Sequence, residues 1–314
     1  MQQKVAIVGA GVSGLTCGVL LAEAGHEVEI LAEATGTAIT SGAAAAIWFP
    51  YDAEPAEKVI PWANRTFVVL QQLSRRAESG VSMIEIRQLS RERKIEIPPW
   101  AISLGAKHLR PTSVPSNFAS GYTLLVPLTD TSRYLDYLAT RFRQASGQIR
   151  IPLHFDRLDE VPPEFSMMIN CSGIGAKTLA QDDELEPHRG QVVLVPRMEL
   201  SSALVCDDLP LIYIIPRAND CVFGGTNDLS ARWEASRKQS QEIVAQCSRV
   251  LGIDAPPILS ERVGLRPYRQ AGVRLAEDRL GDGRRVIHNY GHGGSGFTLS
   301  WGCAEAVKLL LEGR

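Results

Sequence analysis

The sequence has 314 residues, of which 45% are hydrophobic and 22% charged, and its formal net charge is −2. This composition is that of a folded globular protein and argues against a disordered chain. The small net charge gives no general attraction to nucleic acid or to an anionic membrane, so neither is expected as a partner. No window approaches the roughly 18 apolar residues of a membrane helix, and no secretory signal precedes the first predicted strand, so a cytoplasmic location is expected.

A β-α-β unit opens the chain. The apolar run from Lys4 to Val8 predicts a buried parallel strand. Residues 11–23 predict a helix that stops at Gly25, and residues 27–31 predict a second strand. A right-handed crossover would place the two strands side by side in a parallel sheet.

The loop between the first strand and the first helix has the spacing Gly-x-Gly-x-x-Gly at Gly9, Gly11 and Gly14. Gly9 would make the tight turn, Gly11 would let a pyrophosphate approach the backbone, and Gly14 would let helix and strand pack closely. The helix N-terminus offers unpaired N–H groups to phosphates, and Glu33 after the second strand can accept a hydrogen bond from a ribose hydroxyl. An acid at that position disfavours NADP. The pattern does not separate FAD from NAD, and an ordinary strand-to-helix turn is the alternative.

The middle of the chain gives weaker signals. Residues 51–130 carry many prolines and short alternating runs such as Met83 to Ile86, which predicts a mostly β region. A helix is expected from Thr129 or Asp130 to about Gln144, followed by a short buried strand from Met167 to Asn170. The other elements predicted before the C-terminal segment are strands at 191–195, 211–215 and 221–223 and a polar-faced helix at 233–250.

A second glycine-rich loop lies between a predicted strand at 286–288 and a helix that closes the chain. Its glycines are Gly291, Gly293, Gly294 and Gly296. The N-terminus of the closing helix therefore faces a loop with few side chains. A reduced flavin carries negative charge near N1 and C2=O, which a helix N-terminus stabilises, so this loop favours FAD. A tight terminal turn filled by small residues is the alternative.

Three further residues are ambiguous when taken alone. Arg266 precedes a proline at a strand end and suits a carboxylate, although a structural salt bridge is the commoner role of an arginine. Tyr213 fits a core or cross-strand aromatic equally well. His292, between two glycines, is interpreted as a loop residue rather than a general base. The six histidines are dispersed, so no metal site is expected, and pairing among the cysteines stays open.

Together these segments resemble the D-amino acid oxidase family of flavoproteins over almost the whole chain. The motifs that carry the resemblance are Val5 to Val12, the alanine-rich Thr40 to Tyr51, Asn170 to Gly173, Arg189 to Gln191, Tyr213 to Pro216 with Gly224 to Thr226, Val263 to Pro267, and Ile287 to Cys303. The expected fold is α/β (α+β overall), with a Rossmann-like FAD-binding domain interleaved with a β-rich substrate-binding domain. The predicted FAD-binding domain comprises 1–50, 131–188 and 284–314, and the substrate-binding domain 51–130 and 189–283.

The resemblance also implies the site. Arg266 would pair with the substrate carboxylate, the Tyr213 hydroxyl would add a hydrogen bond, and the Gly294 carbonyl would receive the amine. Only one enantiomer would then point its Cα–H at flavin N5, so hydride transfer from a neutral D-amino acid amine would need no side-chain base. The residues expected to contact FAD are Gly9, Ala10, Gly11, Val12, Ser13, Gly14, Glu33, Thr40, Ser41, Ala45, Ala46, Gly173, Gly291, Gly293, Gly294, Gly296, Phe297 and Thr298.

The implied reaction converts a D-amino acid, oxygen and water into a 2-oxo acid, ammonia and hydrogen peroxide. Asn227 occupies a position where D-aspartate oxidases have an arginine, which favours neutral over acidic substrates. Leu209, in a shorter lid segment, stands where mammalian members have a second tyrosine, so a more open site is expected. Ser295 stands where a tyrosine is frequent, which leaves the details of the entrance open. D-Aspartate, glycine or sarcosine as substrate, or a non-catalytic flavin-binding role, are the alternatives. A homodimer is compatible with the sequence.

Overall fold

The computed structural model describes residues 4–51, 53–92 and 94–313. The ends of the predicted domain ranges at 1–3 and 314, and positions 52 and 93 inside them, lie outside the described residues. The strands are, in chain order, β1 (Lys4–Val8), β2 (Glu27–Leu31), β3 (Val81–Ser90), β4 (Lys107–His108), β5 (Ser120–Thr129), β6 (Gln148–Arg150), β7 (Met167–Asn170), β8 (Leu185–Pro196), β9 (Ser202–Cys206), β10 (Ile212–Pro216), β11 (Asp220–Gly224), β12 (Asp228–Leu229), β13 (Ser260–Arg269), β14 (Arg274–Arg279) and β15 (Arg285–Tyr290). The α-helices are α1 (Val12–Glu23), α2 (Thr40–Ala43), α3 (Ala56–Leu73), α4 (Pro99–Ser103), α5 (Thr131–Gln144), α6 (Ala176–Leu179), α7 (Arg237–Leu251) and α8 (Gly296–Leu311).

A six-stranded sheet carries the predicted N-terminal unit, with the strand order β14-β15-β7-β1-β2-β6. β1 pairs in parallel with both β2 and β7, and only β14 joins its neighbour in antiparallel fashion. The predicted bounds of β1, β2 and β7 are confirmed, and α1 begins one residue later than predicted. These strands are continuous apolar runs because both faces of the sheet are covered.

The two faces are covered differently. On one face α1 packs between α5 and α8, and its Leu15 and Val19 join Leu138 and Val307 in one buried cluster. On the other face the irregular segment 153–165 contributes Phe165 to a smaller cluster with strand residues of β1 and β7. The carboxyl ends of β1 and β2 therefore open into a loop region between helix N-termini, where ligands of such sheets bind.

A nine-stranded sheet forms the second layer, in the order β12-β8-β11-β10-β9-β3-β5-β4, with β13 paired to β8. Its pairs are antiparallel except that of β3 with β9. α7 covers one face through Ile243, Val244 and Cys247. The mixed sheets confirm the predicted α/β architecture, and the opposite face of this sheet is left to form the wall of a cavity.

The expectation that residues 51–130 are mostly β is wrong at its beginning. Residues 56–73 form the long helix α3, whose buried residues Val59, Ala63, Phe67 and Leu70 recur at helical spacing. That apolar face packs against α8. The prolines and alternating runs of this segment predicted a β region, but Pro61 lies inside the helix, which continues past it.

The division into two domains stays a prediction. The strand β14 falls inside the predicted substrate-binding range but pairs with β15 in the parallel sheet. The six cysteines are all free and buried, so Cys206, Cys221 and Cys247 are thiols in this structure. In the described ranges, no helix combines the length and the apolar character needed to cross a bilayer.

Candidate active site

One cavity of about 740 Å³ is lined by residues from both sheets. Its size is in the range of roughly 300–1,000 Å³ that is usual for ligand and cofactor sites. Its lining includes the loop between β1 and α1, the end of β2 and the start of α8. It also includes Tyr213 of β10 and Arg266 of β13, and we call the part of the cavity beside these two residues the substrate end.

The Gly9–Gly14 turn is too tight for side chains at its first and last glycines. Gly9 has a φ of +107°, and a methyl group on it would lie 2.5 Å from the carbonyl oxygen of Cys171. A methyl group on Gly14 would lie 1.9 Å from the Gly9 carbonyl oxygen. α1 begins after Gly11, which has no side chain to cap the helix, and Ser41 Oγ accepts a 3.0 Å hydrogen bond from the Val12 N–H. The turn thus brings the α1 N-terminus to the cavity wall, as a dinucleotide site requires.

The N-terminus of α8 faces the same cavity. Ser295 precedes the helix, but its hydroxyl is used to hold Tyr51: it accepts from the Tyr51 N–H at 2.8 Å and donates to the Tyr51 carbonyl at 2.5 Å. In the same way Thr298 Oγ1 accepts from Phe49 N–H at 3.1 Å and donates to its carbonyl at 3.0 Å. α8 therefore starts without a side-chain cap, and its partial positive charge is directed at the cavity.

Arg266 is held at the substrate end by a fixed set of acceptors. Its Nη1 donates to the Thr226 carbonyl at 3.0 Å and to Asn227 Oδ1 at 3.1 Å. β8 provides the space for the guanidinium, because a methyl group on Gly190 would lie 2.5 Å from the Arg266 Cζ. No carboxylate of the described residues forms a salt bridge with Arg266, so the structural alternative for this arginine is not the arrangement found.

Tyr213 lies against a pair of glycines on the neighbouring strand. It faces Gly224 in the β10–β11 pair, and methyl groups on Gly224 and Gly225 would lie 1.9 Å and 2.2 Å from its ring and hydroxyl oxygen. Burial raises the pKa of Tyr213, and the neighbouring Arg266 guanidinium opposes that rise. The phenol is therefore neutral near pH 7 and can donate a hydrogen bond.

Gly294, the third predicted substrate contact, is brought to the cavity near Arg266 by a backbone hydrogen bond of its neighbour Gly293. The Gly293 N–H donates to the Pro267 carbonyl at 2.9 Å, which ties the C-terminal loop to the strand that carries Arg266. Gly294 is exposed and lines the cavity beside the ring of Tyr51. The fold thus brings Tyr213, Arg266 and Gly294 to one cavity, as their predicted roles require.

Most of the predicted cofactor residues line this cavity. Among them are Glu33, Thr40, Ser41, Ala45, Ala46, Gly173, Gly293, Gly296, Phe297 and Thr298, together with residues 9–13. Gly14 and Gly291 do not line it among the described residues, and both are packed against other backbone or side-chain atoms. Their predicted contact with the cofactor stays a prediction.

Among the cavity residues that were not predicted as site residues are His154, Tyr51 and Asp207. His154 Nδ1 lies 3.5 Å from Glu33 Oε2, and the hydrogen bonds to Glu33 and Asp156 raise the pKa of this imidazole. Tyr51 lies beside Gly294, and Asp207 lines the substrate end. Only Tyr51 left a signal, as the end of the alanine-rich segment. The other two are brought in by contacts distant in sequence.

Comparisons with known proteins decide the family. Residues 4–309 match the model of the FAD-dependent oxidoreductase family. The chain is 37% identical to the D-amino-acid oxidase of Rubrobacter xylanophilus, over 98% of this chain and 95% of that protein. The chain belongs to the D-amino acid oxidase family of FAD-dependent oxidoreductases. Another relative in this family is human D-aspartate oxidase, 31% identical over 98% of this chain and 95% of the relative.

The solved structures agree with the family in fold. Glycine oxidase from Geobacillus kaustophilus is similar with a TM-score of 0.84 at 17% identity, covering 100% of this chain and 96% of that one. FAD is the cofactor of this family member. The cavity fits it, because the turn at Gly9 and the uncapped α8 N-terminus both line one space of about 740 Å³. Within the described residues, no cluster of three or more His, Cys, Asp or Glu residues could hold a metal ion.

His292 is buried beside the cavity and is unsuited to act as a base at neutral pH. Its Nε2–H donates to Asn289 Oδ1 at 3.0 Å, since an amide oxygen can only accept. Burial lowers the pKa of His292 to about 4. The interpretation of His292 as a loop residue fits this environment.

The burial of His292, together with that of His288, predicts how the free energy of unfolding depends on pH. Burial lowers the pKa values of His288 and His292 to about 4, while both would titrate near 6.5 in the unfolded chain. Between these pH values the unfolded state binds more protons, so the free energy of unfolding should fall as the pH drops from 6.5 toward 4. At pH 5 each histidine should reduce it by about 2 kcal/mol.

Urea unfolding of the wild type and of His288→Gln at pH 7.5 and pH 5 measures this effect. His288 lies outside the cavity lining, and its removal should weaken the pH dependence by one histidine's share. An unchanged difference between the two pH values would show that His288 is not buried in its neutral form.

Proposed function

We propose that this family member is a D-amino acid oxidase, which converts a D-amino acid, oxygen and water into a 2-oxo acid, ammonia and hydrogen peroxide. The observation that carries the proposal is the convergence of Arg266, Tyr213 and Gly294 on the cavity end that faces α8. This arrangement offers a cation and a neutral hydroxyl to a carboxylate, and a backbone carbonyl to an amine.

These three residues would fix the substrate at two points. The Arg266 guanidinium binds the α-carboxylate with help from the Tyr213 hydroxyl, and the Gly294 carbonyl accepts a hydrogen bond from the α-amine. With both groups held, the Cα–H of only one enantiomer is directed to the α8 side of the cavity. FAD held by the Gly9–Gly14 turn and the α8 N-terminus would supply the hydride-accepting chemistry, with oxygen as the final electron acceptor. The protein's contribution is positioning and electrostatics, because His292 is neutral and already hydrogen bonded to Asn289.

We further propose that the enzyme prefers neutral to acidic D-amino acids. Asn227 lies beside Arg266 and uses its Oδ1 to accept from that guanidinium. Its Nδ2 faces the Tyr51 hydroxyl at 3.4 Å. Position 227 therefore supplies an amide and no positive charge for a second carboxylate.

The six free thiols support the expected cytoplasmic location, and a homodimer stays a prediction from the sequence.

Initial rates of peroxide formation over a panel of substrates test this proposal. D-Alanine, L-alanine, D-aspartate, glycine and sarcosine would each be supplied to the holoenzyme in air. We expect peroxide with D-alanine, little with D-aspartate and none with L-alanine. Faster oxidation of D-aspartate or glycine would assign the chain to one of the alternative activities.

A further inference from the structure

A carboxylate points to a side-chain subsite within the same cavity. Tyr122, Gln88, Val205 and Tyr213 form one row across β5, β3, β9 and β10, as the strand registers show. Residues that pair directly, and those two positions apart on a strand, share a face of the sheet. Asp207 follows Val205 by two positions, and Val205, Asp207 and Tyr213 all line the cavity. Asp207 thus lies about 6.6 Å along the chain from the position that pairs with Tyr213.

The turn after β9 is fixed so that only one of its two aspartates is free to face the cavity. Asp208 Oδ2 accepts from Ser90 Oγ at 3.0 Å and from the Arg91 N–H at 2.6 Å. The Arg91 guanidinium donates to the carbonyls of Asp208 and Pro210, at 2.6 Å and 3.1 Å. The nearby positive charge is therefore used to hold the backbone of the turn, and it does not pair with Asp207.

Asp207 is an exposed carboxylate in the cavity lining, and the buried amide of Gln88 holds it in place. Gln88 Nε2 donates to Asp207 Oδ2 at 2.9 Å, while Gln88 Oε1 is buried with no hydrogen-bond partner. Gln88 itself is only 5% exposed. Among the residues that the structure describes, no arginine, lysine or histidine forms a salt bridge with Asp207. Burial and the neighbouring Asp208 raise the pKa of Asp207, and the Gln88 bond opposes that rise.

The Asp207 carboxylate therefore gives this part of the cavity a negative charge without a salt-bridge partner among the described residues. An opposite charge at close range is stabilised more strongly in a cavity that excludes part of the water than in bulk water. A cationic hydrogen-bond donor would supply both the charge and the donor for this carboxylate.

We propose that Asp207, positioned by Gln88, forms a subsite for a substrate side chain that ends in a cationic hydrogen-bond donor, as in D-lysine. The inference rests on the proposed function, since Arg266 and Tyr213 must hold the carboxylate end. It extends the neutral substrate class to cationic side chains, and it strengthens the exclusion of acidic ones through charge repulsion. The two-residue step from Val205, which pairs with Tyr213, to Asp207 is comparable in length with the four-carbon side chain of lysine.

The test compares D-lysine with D-norleucine, which has the same carbon chain without the terminal amine. In the wild-type holoenzyme kcat/KM should be higher for D-lysine. Asp207→Asn should lower the ratio of the two kcat/KM values by about 10- to 100-fold, the range expected on losing a hydrogen bond to a charged group. D-Norleucine should improve slightly in this variant, because an unpaired charge no longer faces its apolar end. Asp254→Asn, an exposed carboxylate that does not line the cavity, is the matched control and should leave both values unchanged.

The outcomes separate the two proposals. If D-norleucine is oxidised but the ratio is the same in the wild type and in Asp207→Asn, the subsite is wrong and the proposed function stands. A wild-type preference for D-norleucine over D-lysine would overturn the subsite without any variant. If D-alanine is oxidised but D-lysine is not, the subsite is wrong; if D-alanine is not oxidised either, the proposed function itself fails.

Discussion

Replacement of Arg266 by alanine should lower kcat/KM for D-alanine by about 100-fold or more, mostly through a higher KM. Among the described residues no carboxylate pairs with this guanidinium, and the missing side chain at Gly190 leaves it space. Its removal would leave the substrate carboxylate in a cavity without a counter-charge. Steady-state kinetics of the FAD-loaded variant measure the change.

Two further arginine variants sharpen this experiment. Arg266→Lys keeps the charge but loses the fork that binds a carboxylate through two nitrogens, so an intermediate loss is expected. Arg197→Ala removes an exposed arginine paired with Glu199, away from the cavity, and should leave kcat/KM unchanged. If Arg266→Ala kept the KM of the wild type, the carboxylate would be bound elsewhere.

Replacement of Gly14 by alanine should weaken FAD binding by about 10- to 100-fold, the cost of forcing a methyl group into a packed turn. That methyl group would lie 1.9 Å from the Gly9 carbonyl oxygen, so the phosphate turn would have to open. The effect would arise although Gly14 does not itself line the cavity. Titration of the apoprotein with FAD, followed by the change in flavin fluorescence, measures the dissociation constant.

A glycine in open space provides the control. A methyl group on Gly281 would meet no atom within 4 Å, and Gly281→Ala should bind FAD as the wild type does. Circular dichroism of both apoproteins would establish that the folds are retained. Equal FAD affinity in Gly14→Ala and Gly281→Ala would show that the turn does not position the phosphates.

The N-terminal unit could be predicted in detail because its signals are local. β1 and β2 are short apolar runs, and the glycine spacing between them depends on backbone geometry that no other residue satisfies. The same holds for the C-terminal loop, whose glycines lead directly into α8. In both places the sequence alone indicated a helix N-terminus prepared for a ligand.

The middle of the chain shows where local signals fail. Helix α3 was not predicted, because the prolines near its start and the alternating runs after it favoured a β region over its regular apolar face. That face is buried against α8, which comes from the far end of the chain. The Gln88–Asp207 contact joins residues on different strands and leaves no pattern in the sequence. Likewise, the space that Gly190 provides for Arg266 depends on the pairing of β8 with β13. Such features follow from tertiary pairing and become visible only in the folded chain.

The central claim is that this cavity binds FAD and presents a D-amino acid to it in one orientation. Anaerobic mixing of the holoenzyme with D-alanine tests it most directly, with the flavin absorbance near 450 nm followed over time. We expect D-alanine to bleach the flavin and L-alanine to leave it oxidised. Bleaching by both enantiomers, or by neither, would contradict it.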